Sequence, residues 1–434
     1  MSHQSYTLTK LACGLQVLRI PMPAVASLTA LVLTNTGSRY ETPEKEGIAH
    51  FFEHIVFKGT QKYPTALDLS SAVDAIGAEF NAFTSKEYTG YYVKSASKHL
   101  ETSLDVLSDM LLQAEIRQED VDREKGVIIE EINMYRDNPM AHVANLFDQL
   151  FFADRGLKHD IIGSKETVSS ITSGDFEHFL SEWYSLENMV LVLAGDAEVV
   201  ANQKTLDLVE KMFTKTPKVQ RVNKRIELQP FFADTTVAAD RLWVENKKTE
   251  QAHLILGWTG LQRSDEQRHV LSVLSVIMGG NMSSRLFTEV REKRALCYYV
   301  RSDSDFFHNT GVVGASAGVD PTRVYEAIKV IKDEFSALAT QQRPVTEAEL
   351  KKAKEYIAGM TVLSLEDSES VAQYFGTKQL LNSKIETPEE VLEKIQTVTI
   401  DQVHALAKRL FSGQVKLAVI GPFADEQKFE ELIG

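Results

Sequence analysis

Two stretches of the chain repeat one order of features, and this repetition limits the possible folds more than any other part of the sequence. FLSEWYSLENMVLVLAGD (residues 179–196) runs from a helical tail through an aromatic-Ser pair and a short polar turn into an apolar run and a glycine. ALAKRLFSGQVKLAVIGPF (residues 405–423) does the same, with Ser412 nine residues before Gly421 where Ser185 stands ten before Gly195. Earlier, SLTALVLTNTG (27–37) has its counterpart in EQAHLILGWTG (250–260), each followed by a helical pattern. A period of about 225 residues is a domain duplication, because solenoid repeats recur every 20 to 50 or so. The 434 residues are enough for two domains of ordinary size.

TKTPKVQRVNKRIELQP (214–230) is polar, basic and weakly periodic and holds two prolines, which reads as a linker. The expected organisation is therefore a first domain over 1–213, a linker over 214–234 and a homologous second domain over 235–434. Within the first half, LQVLRI and LTALVLT read as strands. Thr42-Pro43 reads as a helix start leading into residues 50–54, and Thr65 with Asp68 as a capping box opening a helix through Ile76. AEFNAFTS and EYTGYYVKSA predict a hairpin, and helical patterns fill most of 97–183. Strand-rich then helix-rich stretches predict an α+β fold, each domain a mainly antiparallel sheet with helices packed on one face.

Composition excludes several classes. With 43% hydrophobic and 25% charged residues and no low-complexity tract, the chain is expected to be folded rather than disordered. A formal charge of −14 disfavours nucleic acid or an anionic membrane as partner and mildly favours basic ligands. The two cysteines, Cys13 and Cys297, suit a reducing compartment better than a disulfide framework. With no signal-like N-terminus and only strand-length apolar runs, a cytoplasmic protein without a membrane span is expected.

The chemistry concentrates at HFFEH, residues 50–54. On a helix, His50 and His54 project from one face and can offer nitrogens to one ion. Glu53 flanks the pair, placed to act on a water held there as general base, and a zinc ion would bring that water's pKa towards 7. The arrangement suits amide hydrolysis, but two histidines still need a third protein ligand. DREKGVIIEEINMYRDN (122–138) is strongly helical, with Glu124 and Glu131 seven apart on the face of Ile128. Carboxylates on a semi-apolar face are costly to bury unless paired or metal-bound. Glu130 points about 100° away. Glu131 is therefore the expected third ligand and Glu124 a supporting or auxiliary acid.

HFFEHIVFKGT (50–60), NAFTSKEYTGYY (81–92) and REKGVIIEE (123–131) together resemble the pitrilysin/insulinase family of inverted-zincin peptidases. The half-length branch with the mitochondrial processing peptidase and its bacterial relatives is the nearest in pattern. In that family a glutamate 77 residues after the second histidine completes the zinc site, which is Glu131 here. Glu53 matches the general base and Glu124 the additional acid. SSRLFTEVREKRALCYYV (283–300) resembles the family's Arg/Tyr segment, which implies that Arg291 and Tyr298 contact bound substrate. Spacing alone would make Arg291 a surface helix residue and Tyr298 a strand core residue.

The resemblance also implies that Asn81, Ala82, Phe83 and Thr84 lie on an edge strand to which a peptide adds as a further strand. The counterpart of HFFEH in the second half, near SVLSVIM (272–278), has no metal ligands. Four such domains enclose a chamber in the family, so a half-length chain carrying both motifs implies a clamshell homodimer. The expected activity is zinc-dependent endoproteolysis of short or unfolded peptides. The competing expectation is a non-catalytic or partner-dependent subunit, a role usually accompanied by eroded motifs.

Overall fold

The computed structural model describes residues 5–152, 155–222, 240–382 and 384–434. The first half contributes strands β1 (Thr7–Lys10), β2 (Gln16–Met22), β3 (Ser27–Thr34), β4 (Glu79–Thr84), β5 (Thr89–Ala96) and β6 (Met189–Asp196). Its principal helices are α1 (Ile48–Ile55), α2 (Ala66–Asp74), α3 (Leu100–Gln113), α4 (Gln118–Asp137) and α5 (Pro139–Phe151). The second half contributes β7 (Leu242–Asn246), β8 (Ala252–Thr259), β9 (Cys297–Phe306), β10 (Gly311–Val319) and β11 (Lys416–Gly421). Its principal helices are α6 (Arg268–Gly279), α7 (Val324–Ala339), α8 (Glu347–Ser364) and α9 (Ser368–Asn382).

The strands form one sheet in the order β1-β2-β6-β3-β5-β4 and another in the order β7-β11-β8-β10-β9. In the first sheet β2 and β6 run parallel, while β6-β3, β3-β5 and β5-β4 are antiparallel. The second sheet repeats this, parallel at β7-β11 and antiparallel from there to β9. The fold is thus α+β with mixed sheets, in two domains of one design.

The chain divides into two compact units, each drawing on both sequence halves. Unit 1 is Met1–Ile132, His159–Leu228 and Val362–Thr387, and unit 2 is Asn133–Lys158, Gln229–Thr361 and Pro388–Gly434. A single division near residue 213 is therefore crossed twice, because α5 counts with unit 2 and α9 with unit 1. Their sequences explain this. α9 lays Val371, Ala372, Phe375 and Leu380 on Leu18, Leu31, Leu33 and Val192 of the first sheet. α5 lays Val143, Leu146, Phe147 and Leu150 on Ala418, Ile420 and Val312 of the second. Each sheet has most of its helices on one face, and the other face is covered by one helix from the opposite half rather than left bare. The removal of these apolar side chains from water is what holds both faces.

The expected linker lies partly outside the described residues, from 223 to 234. Its described start is bound to unit 1: Lys218 N donates to Leu112 O, Val222 N to Ser181 O, and the Arg221 guanidinium to Tyr184 O and Leu111 O. The capping box at Thr65 and Asp68 is present, opening α2. Thr42-Pro43 does not start the helix of residues 50–54. Pro43–Lys45 is a single 3-10 turn, and Gly47, with φ +93°, breaks the path before α1 begins at Ile48. A Cβ at Gly47 would lie 2.5 Å from Ile162 O, and positive φ is a conformation that glycine adopts without strain.

Candidate metal centre

α1 buries Phe51, Phe52 and Ile55 in the main core of unit 1. Phe51 meets Phe176 edge-on at 5.1 Å and Phe52 meets Tyr184 at 5.0 Å, which fixes the helix's rotation. With that face committed, His50, Glu53 and His54 share the remaining one. α4 buries Ile128 and Glu124, so its periodicity turns Glu131 towards the two histidines.

Glu131 Oε1 lies 3.7 Å from His50 Nε2 and Oε2 3.5 Å from His54 Nε2. One donor atom from each of the three residues lies within 4.8 Å of the others, the only such group among the described residues. Two tetrahedral ligands, each about 2.0–2.1 Å from zinc, stand about 3.3 Å apart, so small adjustments suffice for the set to hold one ion.

The electrostatics fit a cation. Burial lowers the pKa of His50 to about 4, with His54 acting in the same direction, which keeps a neutral imidazole available as a ligand. His50 Nδ1 is buried with no hydrogen-bond partner among the described residues. His54 Nδ1 lies 3.0 Å from Glu124 Oε1, and Glu124 Oε2 is 2.6 Å from Lys58 Nζ. A carboxylate on Nδ1 selects the tautomer whose Nε2 lone pair faces the candidate centre. Burial alone would raise the Glu124 pKa, but the bonds to His54 and Lys58 prevail and lower it.

Glu131 titrates above the ordinary range because burial raises its pKa; His54 opposes the shift and Asp160 adds to it. Burial likewise raises Glu53, against a hydrogen bond that Thr84 Oγ1 donates to Oε2 at 2.6 Å.

The other residues singled out in the sequence separate into two places. Asn81, Ala82, Phe83 and Thr84 lie on β4, which ends the first sheet, and no described strand pairs with its outer edge. Asn81 is exposed, Ala82 points into the main core and Phe83 packs on the α9 side of the sheet. Thr84 is engaged with Glu53.

Arg291 and Tyr298 lie in unit 2. Arg291 is on a π-helical turn, Phe287–Glu292, with its guanidinium 4.9 Å from the Phe287 ring and 5.6 Å from that of Tyr298. Tyr298 is 73% exposed and so is not a strand core residue, because β9 is the edge of its sheet. α6 follows β8 as α1 follows β3, and it buries Val273, Leu274, Ile277 and Met278 and contributes to no metal-ligand group among the described residues.

Two contacts were not anticipated from the sequence. Lys58, four residues after His54, could have been suspected from that one-turn spacing. The Thr84–Glu53 bond spans 31 residues between a strand and a helix and leaves no local signature.

Fold and donor set together define a class, a duplicated α+β chain with the H-x-x-E-H motif of the inverted zincins. The comparisons with known proteins agree. The family described as Insulinase (Peptidase family M16) matches residues 17–165, and Peptidase M16 inactive domain matches residues 170–357. An uncharacterized zinc protease of Streptomyces coelicolor is 39% identical over 420 residues, covering 96% of this chain and 90% of that one. The uncharacterized zinc protease YmxG of Bacillus subtilis is 34% identical over 410 residues, covering 94% and 96%. The crystal structure of a protease from Helicobacter pylori superposes with a TM-score of 0.86 at 22% identity, covering 96% of this chain and all of that one, a likeness of fold. The chain belongs to peptidase family M16, the insulinase family. Among the described residues no helix is long and apolar enough to cross a membrane.

Proposed function

We propose that the protein is a zinc metalloendopeptidase that hydrolyses short or unfolded peptides, and that two copies form the working unit in the cytoplasm, enclosing a chamber. The observation that carries this reading is the convergence of His50 Nε2, His54 Nε2 and Glu131 on one point, with the Glu53 carboxylate on the same helix face. The two relatives named above are called zinc proteases, and the donor set of two imidazoles and a carboxylate suits that metal.

His50, His54 and Glu131 would hold the ion. Zinc bound there supplies Lewis acidity, bringing the pKa of a water near it towards neutrality. Glu53 acts on that water's proton. Thr84 holds Oε2, which leaves Oε1 to accept the proton as the water oxygen attacks the scissile carbonyl. Glu53 then returns the proton to the amide nitrogen as the C–N bond breaks, restoring its carboxylate. Arg291 grips a substrate carbonyl and the exposed Tyr298 hydroxyl donates to the developing oxyanion. β4 takes the substrate as an added strand through its outer backbone edge, so affinity depends little on side-chain identity.

Hydrolysis of a quenched fluorescent peptide library by the purified protein, beside Glu53→Gln with zinc content measured on both, tests this. Cleavage by the wild type alone, with zinc in both, supports the reading. Zinc without cleavage in either overturns it in favour of a partner-dependent subunit. Light scattering on the same sample checks the dimer.

A further inference from the structure

Glu53 and Thr84 come from elements far apart in sequence, and one short segment touches both elements. Gly37–Glu41 lies against the turn after β4 at one end and against the start of α1 at the other. Ser38 N donates to Ser85 O at 3.3 Å and Arg39 N to Lys86 O at 2.8 Å. The Arg39 guanidinium meets Glu87 Oε1 at 2.6 Å, with side chains 1% and 2% exposed, a pair too deep to be a surface contact. The backbones approach so closely that a Cβ at Gly37 would lie 2.2 Å from Ser85 O and 2.7 Å from Lys86 O.

The other end of the segment supplies what α1 lacks. The residue before the helix is Gly47, which has no side chain to cap the first turn. Glu41 takes that role from six and eight residues upstream, its Oε2 accepting from Gly47 N at 2.7 Å and its Oε1 from Ala49 N at 2.8 Å. Burial pushes the Glu41 pKa up to about 8 although both of these bonds act to lower it, so its capping of α1 rests on its two acceptor oxygens and not on a full negative charge. The next residue on α1 is His50, and Glu53 follows one turn later. Thr84 directly precedes Ser85. The Thr84–Glu53 bond thus joins the two elements that Gly37–Glu41 holds.

We propose that Gly37–Glu41 is a brace that sets the spacing between α1 and the end of β4, making Glu41 and Arg39 positioning residues for the base Glu53. The proposal rests on the peptidase reading above. A misplacement of the order of 1 Å at a reacting group can cost about a hundredfold in rate. β4 is held over Glu79–Thr84 by its own ladder to β5, so loss of the brace should shift the base against a substrate edge that stays in place, and kcat should carry the loss and KM should not.

The test uses the full-length zinc-loaded protein and Glu41→Ala, Glu41→Gln, Thr84→Val and the Glu41→Ala/Thr84→Val double variant. Expected are a kcat at least tenfold lower in Glu41→Ala at unchanged KM, and recovery of most of it in Glu41→Gln, which keeps one acceptor oxygen. The double variant should be no slower than the slower single variant, because both changes act through one bond. Hydrogen exchange in Glu41→Ala should rise at residues 47–50 and also at 84–88. A folded, zinc-loaded Glu41→Ala with kcat within twofold of wild type, or multiplicative losses in the double variant, overturns the brace. If Glu41→Ala does not fold, Arg39→Lys combined with Thr84→Val carries the same cycle from the other end of the segment, where Arg39 meets Glu87. If the wild type cleaves nothing, the peptidase reading falls and the exchange pattern alone decides the brace, which fails if faster exchange stops at residue 50.

Discussion

The ladder β2-β6-β3-β5-β4 of unit 1 and the ladder β7-β11-β8-β10-β9 of unit 2 share strand order and direction, yet two acids from the helical segments of each unit behave in opposite ways. In unit 1, burial pushes Glu53 and Glu131 above the ordinary carboxylate range, and the opposing effect of His54 on each does not reverse it. In unit 2, burial acts on Glu289 and Glu349 in the same sense, but hydrogen bonds from Lys293 and Arg294 to the first and from Arg285 to the second prevail, and both fall to about 2. Arg285 grips Glu349 with two nitrogens, at 2.7 and 3.0 Å. Paired acids stabilise a fold, whereas acids left short of positive charge mark where a cation can bind. The contrast belongs to these two pairs of acids and not to the units as wholes, since Glu124 in unit 1 is lowered by His54 and Lys58 and burial raises Asp305 in unit 2 to about 6.

The largest expected effects test that contrast at α1. His54→Ala should lose zinc and activity together. Glu53→Gln should keep zinc and lower kcat by about a thousandfold, within the range of a lost general base. Peptide hydrolysis with metal analysis on each variant checks both.

Next in size is the contribution of unit 2 to turnover. Tyr298→Phe should lower kcat about a hundredfold, as expected for one lost oxyanion donor, with zinc content unchanged. Steady-state kinetics at saturating peptide measure it. A KM effect alone would make Tyr298 a binding residue only. Glu124→Gln then sharpens the reading of unit 1: the carboxylate–histidine contact should be worth about ten- to a hundredfold in zinc affinity, read by chelator competition.

Much of this was legible in the chain, and the rest fails for identifiable reasons. The duplication showed because apolar strand runs and their flanking turns recur, and the strands β2, β3, β4 and β5 overlap the alternating, apolar and aromatic runs that read as strands. His50, His54, Glu124 and Glu131 were accessible because helical periodicity alone tells which of them share a face. The exchange of α5 and α9 between units was not legible, since an amphipathic helix shows that it will be covered and not by which sheet. The start of α1 was misplaced because Thr42-Pro43 is a genuine turn signal, and Gly47 restarts the chain after it. Spacing alone would have put Tyr298 in a strand core and only the resemblance put it at the substrate, whereas its exposure goes with β9 being the edge of its sheet.

The smallest expected effect concerns stability and falls in unit 2. Glu289 bonds Lys293 Nζ and Arg294 Nη1, each at 2.8 Å, and Arg343 Nη1 at 3.0 Å. Its pKa is depressed in the folded state, so the stability it contributes is present above the unfolded value of about 4.5 and is lost as pH falls through about 2. Glu289→Gln removes the charge at every pH. It should therefore cost about 2 kcal/mol near neutrality, a drop of several degrees in Tm, and the gap from wild type should close between about pH 4.5 and pH 2. Thermal melts of both proteins across that range measure it. A gap that stays constant with pH would show that Glu289 acts by packing rather than by charge, and would remove one of the paired acids on which the contrast rests.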